Sequence, residues 1–284
     1  MNPLNLSRAI DHAVERADRL NALVRIPATA STIEEDGLPL QLLSVAPEDL
    51  LIRKPINRGR ATDHNPFLPY EEDLFVADLG PAHVAILNKF PVNAGHLLII
   101  TREFEEQTAP LNRGDFSALA QVMGELDGLV IFNGGAGAGA SQRHKHLQLI
   151  PGQQAFIEPW LPLSAAPLEV VHQPRLLYRH AVARLDSRLA TQPHGWRDHL
   201  LAAYHALLAQ LGLSLQQGQL PPYNLLATRR WMMIIPRTAP LWMREDLKIP
   251  INAISFSGNL LIYNPRLEQF IREHGIRRIL ADVT

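Results

Sequence analysis

The chain has 284 residues, 46% of them hydrophobic and 19% charged, a balance that supports one large core or two modest ones and excludes global disorder. Its 27 basic and 28 acidic residues nearly cancel, so no overall field marks a binder of nucleic acid or membrane, and a polyanionic ligand would need a local cluster of donors. The absence of cysteine excludes disulfides, thiolate chemistry and cysteine-ligated metals.

Met1 to Leu20 read as an amphipathic helix, with Leu6, Ile10, Ala13, Val14 and Ala17 near one face. The charges among them leave no apolar run for a secretory leader, and apolar runs elsewhere are too short to span a bilayer. A soluble, cytoplasmic protein is expected. Pro27 to Pro69 are expected to be poor in strands, with short apolar pieces such as Leu40 to Val45. Within that stretch, the basic loop Arg53-Lys54-Pro55-Ile56-Asn57-Arg58-Gly59-Arg60 suits either a solvated surface or a grip on phosphate.

Asp73 to Asp78 and His83 to Asn88 predict two strands joined by a Gly80-Pro81 turn. After the turn-rich Phe90 to Gly95, His96 to Thr101 predict a buried strand and Phe116 to Glu125 a helix. Leu129 to Asn133 predict a strand that runs into the glycine-rich Gly134 to Gly139. His144 to Ile150 predict another, stopped by Pro151-Gly152. The proline-rich Pro159 to Pro174 suggest a border between an N-terminal part, 1–160, and a C-terminal part, 161–284, forming two units or one continuous one. Beyond it lie a helix over Trp196 to Leu211, strands over Tyr223 to Thr228, Trp231 to Pro236 and Leu260 to Asn264, and a short helix over Arg266 to Glu273. Strands clustered without regular β-α alternation predict an α+β fold with an antiparallel sheet.

On a strand, side chains alternate faces, so His144, His146 and Gln148 share one face while Lys145, Leu147 and Leu149 share the other. Ahead of them, Gly134-Gly135-Ala136-Gly137-Ala138-Gly139-Ala140-Ser141 would let a backbone approach a ligand and cup an anion with N–H groups. Together these place phosphate donors beside an imidazole able to attack phosphorus. The glycine stretch by itself matches neither the Walker pattern nor a dinucleotide fingerprint. The His-x-His pair also suits a metal chelate, for which only the distant His83 or His96 offer a third ligand. Spacing alone leaves both readings open.

Phe132-Asn133-Gly134 through Gly139-Ala140-Ser141-Gln142, followed by His144-Lys145-His146-Leu147-Gln148, resemble the histidine-triad superfamily, in particular its diadenosine tetraphosphate (Ap4A) phosphorylase, or ATP adenylyltransferase, branch. Flanking matches are Lys54-Pro55, Asn65-Pro66-Phe67, Leu87-Asn88-Lys89-Phe90-Pro91-Val92, Gly95-His96-Leu97-Leu98 and Thr101 to Gln107. Tyr223-Asn224-Leu225-Leu226 and Trp231 to Arg237 match downstream.

The resemblance implies a histidine-triad-like antiparallel sheet with flanking helices, the C-terminal segment extending the same fold. It also implies a two-step reaction, in which His146 takes AMP from Ap4A, releasing ATP, and phosphate then takes AMP from His146 to give ADP. His144 would support the nucleophile, and Gln148 would stand where hydrolytic relatives carry a third histidine. Lys54, Asn88, Lys89 and Asn133 would contact nucleotide or polyphosphate, Gly139, Ala140, Ser141 and Gln142 would supply loop donors, and Asn252 would add a contact from the C-terminal part.

The implied ligands are Ap4A, ATP, ADP and phosphate, with no covalently bound cofactor and Mg2+ as a charge-neutralising companion of the substrate. Two departures from the pattern bear on substrate range: Ala138 replaces a serine, and Tyr263 stands where a lysine is expected. Rival readings are a hexose-1-phosphate uridylyltransferase-like enzyme, which would carry proline between the histidines, a nucleotide sensor without turnover, and a metal-dependent enzyme.

Overall fold

The computed structural model describes residues 5–46 and 64–284; Lys54 and the basic loop around it lie outside them. Helix α1 (Leu6–Arg19) is capped by Asn5, whose side chain accepts the Arg8 N–H, and it buries Leu6, Ile10, Ala13 and Ala17.

The stretch expected to be poor in strands instead holds a hairpin, β1 (Thr29–Glu35) and β2 (Leu38–Ser44). Asp36 and Gly37 both have positive φ, 51° and 77°, the conformation a two-residue turn needs to match the twist of its strands. Leu38, Leu40 and Leu42 alternate inward. The Asp-Gly pair between alternating residues was the legible signal for this element.

Nine strands among the described residues form one fully antiparallel sheet in the order β3-β4-β5-β7-β6-β10-β11-β9-β8. They are β3 (Phe75–Leu79), β4 (His83–Leu87), β5 (Leu97–Thr101), β6 (Gly128–Gly134), β7 (His146–Pro151), β8 (Val170–Val171), β9 (Ala181–Arg184), β10 (Tyr223–Ala227) and β11 (Trp231–Pro236). The sheet therefore runs across the sequence border at 160, because β6 pairs with β10. The edge strand β8 and its neighbour β9 escaped the sequence reading, being too short to show an alternation.

The two faces of the sheet have different neighbours. Val130, Phe132, Leu147, Leu149, Leu225 and Ile234 point to one core, shared with α1, α2 (Arg113–Glu125) and α3 (Pro193–Gln210). Leu129, Ile131, Ile150, Leu226, Met233 and Ile235 point to the other, shared with Trp160, Phe256 and Ile276. This second core includes the small hairpin β12 (Leu241–Arg244) and β13 (Leu247–Pro250), strand β14 (Asn259–Ile262), which pairs parallel to β2, and helices α4 (Pro265–His274) and α5 (Ile276–Ala281).

Helix α2 starts before the predicted Phe116, because Asn112 and Asp115 form a capping box. Helix α3 likewise starts at Pro193, a residue suited to a first turn. Gly275, at φ 82°, separates α4 from α5, a helix the sequence reading missed. Among the described residues, no helix is long and apolar enough to cross a membrane.

Candidate active site

The register places Leu98 opposite Gln148 and Ile100 opposite His146, with Ile131 on the other flank of Gln148. His146, Gln148 and Asn133 thus share the second face of the sheet, as their alternation requires. The β6–β7 ladder ends at Ile131 and Gln148. Beyond that point Gln107 takes its place: it accepts the His146 N–H at 2.8 Å and donates to the carbonyls of Asn133 and His146 at 2.8 and 3.2 Å. One buried amide thus replaces the lost ladder bonds where the strands part.

His146 is 4% exposed. Its Nδ1–H donates to the His144 carbonyl at 2.8 Å, which leaves Nε2 as an unprotonated lone pair with no partner among the described residues. Burial pulls its pKa down to about 4, so the ring is neutral at physiological pH. His144 is a different kind of histidine. Its Nδ1 accepts from Asn65 Nδ2 at 2.9 Å and its Nε2–H donates to Thr101, with the carbonyl and hydroxyl oxygens both at 2.8 Å. The Phe67 ring packs against both imidazoles. With both nitrogens of His144 and Nδ1 of His146 engaged, the pair cannot converge on a metal as a chelate. The geometry is that of one imidazole with a bare nitrogen beside one anchored at both nitrogens.

Gln148 Oε1 lies 3.0 Å from His96 Nε2. Asn88, at the end of β4, places Nδ2 3.4 Å from His96 Nδ1 and accepts the Phe90 N–H. Lys89 is held by the Glu71 carboxylate at 2.7 Å. Asn133 Oδ1 accepts from Asn224 Nδ2 and from the Ala253 N–H, both at 2.8 Å, so its NH2 is turned away from those partners. Asn224 also donates to the Ala138 carbonyl and accepts from Arg237, a buried guanidinium whose other bonds end on the carbonyls of Ala239, Ile251 and Val283.

The glycine-rich stretch folds into a short 3-10 turn, Ala136–Ala138, that engages several of its own donors. The Gly139 N–H bonds Ala136 and the Ala140 N–H bonds Gly135. Of the four residues expected to supply loop donors, Gly139 and Ala140 therefore have their N–H groups engaged within the loop. Those of Ser141 and Gln142 have no partner among the described residues. Gly139 sits at φ 86°, where a Cβ would come 2.6 Å from the Ile251 carbonyl, so this glycine lets the loop close against the C-terminal segment. Asn252, on the other side of that contact, caps the short helix Ala253–Ser257 with its side-chain oxygen. Tyr263 turns its hydroxyl to the Lys248 carbonyl at 2.8 Å.

The family model for the Ap4A phosphorylase N-terminal domain matches residues 1–168, more than half of the chain, and that for the ATP adenylyltransferase C-terminal domain matches 174–284. The chain belongs to the Ap4A phosphorylase family. It is 27% identical over 254 residues to Protein APA1 of Saccharomyces cerevisiae, covering 78% of this chain and 76% of that protein. It is 29% identical over 230 residues to Diadenosine 5',5'''-P1,P4-tetraphosphate phosphorylase 2 of the same yeast, covering 70% and 68%. Its fold is similar to the crystal structure of yeast Ap4A phosphorylase Apa2 in complex with AMP, with a TM-score of 0.81, 24% identity and coverage of 99% of this chain and 96% of that one. The Apa2 complex with Ap4A gives a TM-score of 0.78, 22% identity and coverage of 99% and 97%.

Several residues of this family member's site stood in the sequence only within flanking motif matches, with no role assigned: Asn65, Thr101, Gln107, Asn224 and Arg237. A further signal existed for Asn224, a polar residue inside an apolar run and fully buried in Tyr223–Ala227.

Proposed function

We propose that this chain carries out Ap4A phosphorolysis with His146 as the nucleophile. Nε2 attacks the α-phosphorus of one AMP group, the bond to the bridging oxygen breaks, and ATP leaves. Inorganic phosphate then attacks the adenylylated histidine and leaves as ADP, restoring neutral His146. Run in reverse, ADP and ATP give Ap4A and phosphate.

The observation that carries this reading is the His146 Nδ1–H bond to the His144 carbonyl, which aims an unprotonated Nε2 out of a buried ring. As bonds form at Nε2, positive charge develops on the imidazole and the same carbonyl stabilises the Nδ1–H. His144 acts through its backbone and its anchoring by Asn65 and Thr101. Gln148, Asn133 and the N–H groups of Ser141 and Gln142 serve as donors to phosphoryl oxygens. Asn88, Lys89 and Asn252 line the nucleotide side of the same reading, and Lys54 joins them from outside the described residues. Mg2+ enters as the companion of the polyphosphate, neutralising its charge. A cytoplasmic setting, which supplies nucleotides and phosphate together, fits this reading.

The test is direct. With Ap4A and phosphate, the protein is expected to yield equal amounts of ATP and ADP. Without phosphate it should retain one acid-labile AMP on His146. The His146→Ala variant should form neither product nor adduct, and turnover that survives this substitution would exclude the proposed nucleophile.

A further inference from the structure

We propose that His96 is a positioning residue for Gln148, holding its amide in the one orientation that turns the NH2 group toward the phosphoryl oxygens beside His146. The inference rests on the reading of His146 given above. It starts from an atom with no ambiguity of role, the Val92 backbone N–H, which can only donate and lies 3.2 Å from His96 Nδ1. The His96 Nδ1 is therefore an acceptor, and the ring proton sits on Nε2. The second contact at Nδ1, from Asn88 Nδ2 at 3.4 Å, has the same sense.

With its proton on Nε2, His96 is a donor toward Gln148, 3.0 Å away, and the amide must answer with its oxygen. A flipped amide would bring N–H against N–H. Burial of His96, which is 2% exposed, holds its pKa down to about 4, so one neutral tautomer persists at physiological pH. The turn that supplies the Val92 N–H is closed by Gly95 at φ 81°, packed against α1, so the donor is presented by a fixed piece of backbone.

Gln148 shares a sheet face with His146, two residues along β7, and is the half-buried member of the set. With its oxygen committed to His96, the group left for a ligand is the NH2. That polarity matters chemically. A carbonyl oxygen facing an anionic phosphoryl group would repel it, whereas an N–H donor stabilises the negative charge that builds on those oxygens as Nε2 attacks. A glutamine gives this donation without carrying a proton that could be passed to a leaving group or a water.

Three variants test the assignment by single-turnover adenylylation in the absence of phosphate. His96→Leu removes the donor and should slow adenylylation roughly 100-fold, with a much smaller change in KM for Ap4A. His96→Gln, whose side-chain amide can again donate at that place, should recover most of the rate. In a Gln148→Ala background, His96→Leu should cost less than a further twofold, because there is no amide left to orient. An undiminished rate in His96→Leu, or a loss of equal size in the Gln148→Ala background, would overturn the proposal.

A substrate-free measurement stands beside these. Long-range 1H–15N spectra of the unliganded protein should show His96 protonated on Nε2 at neutral pH, and a proton on Nδ1 overturns the proposal even where a variant fails to fold. Because this readout needs no turnover, it separates failure of the positioning role from failure of the Ap4A reading, which the His146→Ala comparison decides.

Discussion

Lys145 Nζ lies 2.9 Å from Asp115 Oδ2, and both side chains are 1% exposed. Lys145 stands between the two histidines, yet its side chain passes to the opposite face of the sheet and ends at the capping box of α2. There Asp115 also meets His83 at 2.9 Å. Glu105 holds the same lysine twice, accepting its backbone N–H at 2.8 Å and its ammonium at 2.7 Å. The peptide fixed in this way is the one whose carbonyl binds His146 Nδ1.

Lys145→Met is therefore expected to lower stability by about 3 kcal/mol, because it leaves Asp115 charged and poorly compensated in the interior. The double variant Lys145→Met, Asp115→Asn should recover part of that loss. Urea unfolding of the two variants checks the order, and a double variant less stable than Lys145→Met would contradict it.

Acid sensitivity follows from the buried histidines. His96, His146 and His180 are each held down to about 4, first of all by burial. Between pH 6.5 and 4 the unfolded chain binds more protons than the folded one, so stability rises with pH across that window. It is fully present above pH 6.5 and is lost as pH falls toward 4. Urea midpoints at pH 7.5, 6.5, 5.5 and 4.5 should fall in that order below 6.5. Adenylylation by protein that is still folded should keep an acid limb nearer 4 than 6.5, and a limb centred at 6.5 would show that His146 is not the buried neutral base described.

Asn224 links the buried guanidinium of Arg237 to the Asn133 amide, proposed above as a donor to the ligand. In Asn224→Asp the new carboxylate gains an ion pair with Arg237 but loses both N–H donations, to Asn133 Oδ1 and to the Ala138 carbonyl. The variant should fold with little change in Tm while binding AMP about tenfold more weakly, roughly 1.4 kcal/mol. Calorimetric titration with AMP reads this, and unchanged affinity would sink the idea that Asn133 is oriented from behind.

Most of the sheet and the reactive face were legible from the sequence, because both depend on local alternation. Leu97–Thr101 and Trp231–Pro236 are apolar runs of strand length, and His144-Lys145-His146-Leu147-Gln148 sorts polar from apolar side chains with period two. The β1–β2 hairpin was missed although its Asp36-Gly37 turn was visible, since β1 mixes threonine, serine and glutamate with few apolar residues. The engagement of the loop donors was not legible. A glycine-rich sequence shows that N–H groups can be brought together, but not that a 3-10 turn will engage those of Gly139 and Ala140.

By itself the sequence determined that His144, His146 and Gln148 share a face, and the order of motifs along the chain placed them in the Ap4A phosphorylase family. The tertiary structure decided the state of other polar groups there: which nitrogen of His144 carries the proton, what holds the His146 backbone N–H, which way the Gln148 amide turns, and where Asn133 points. Those choices are made by hydrogen bonds to Asn65, Thr101, Gln107, His96 and Asn224, between 39 and 91 residues distant from the groups they orient. A tautomer or an amide rotamer costs little to change locally, so it is settled by the partner that folding brings to it, and local sequence pattern carries no record of that partner.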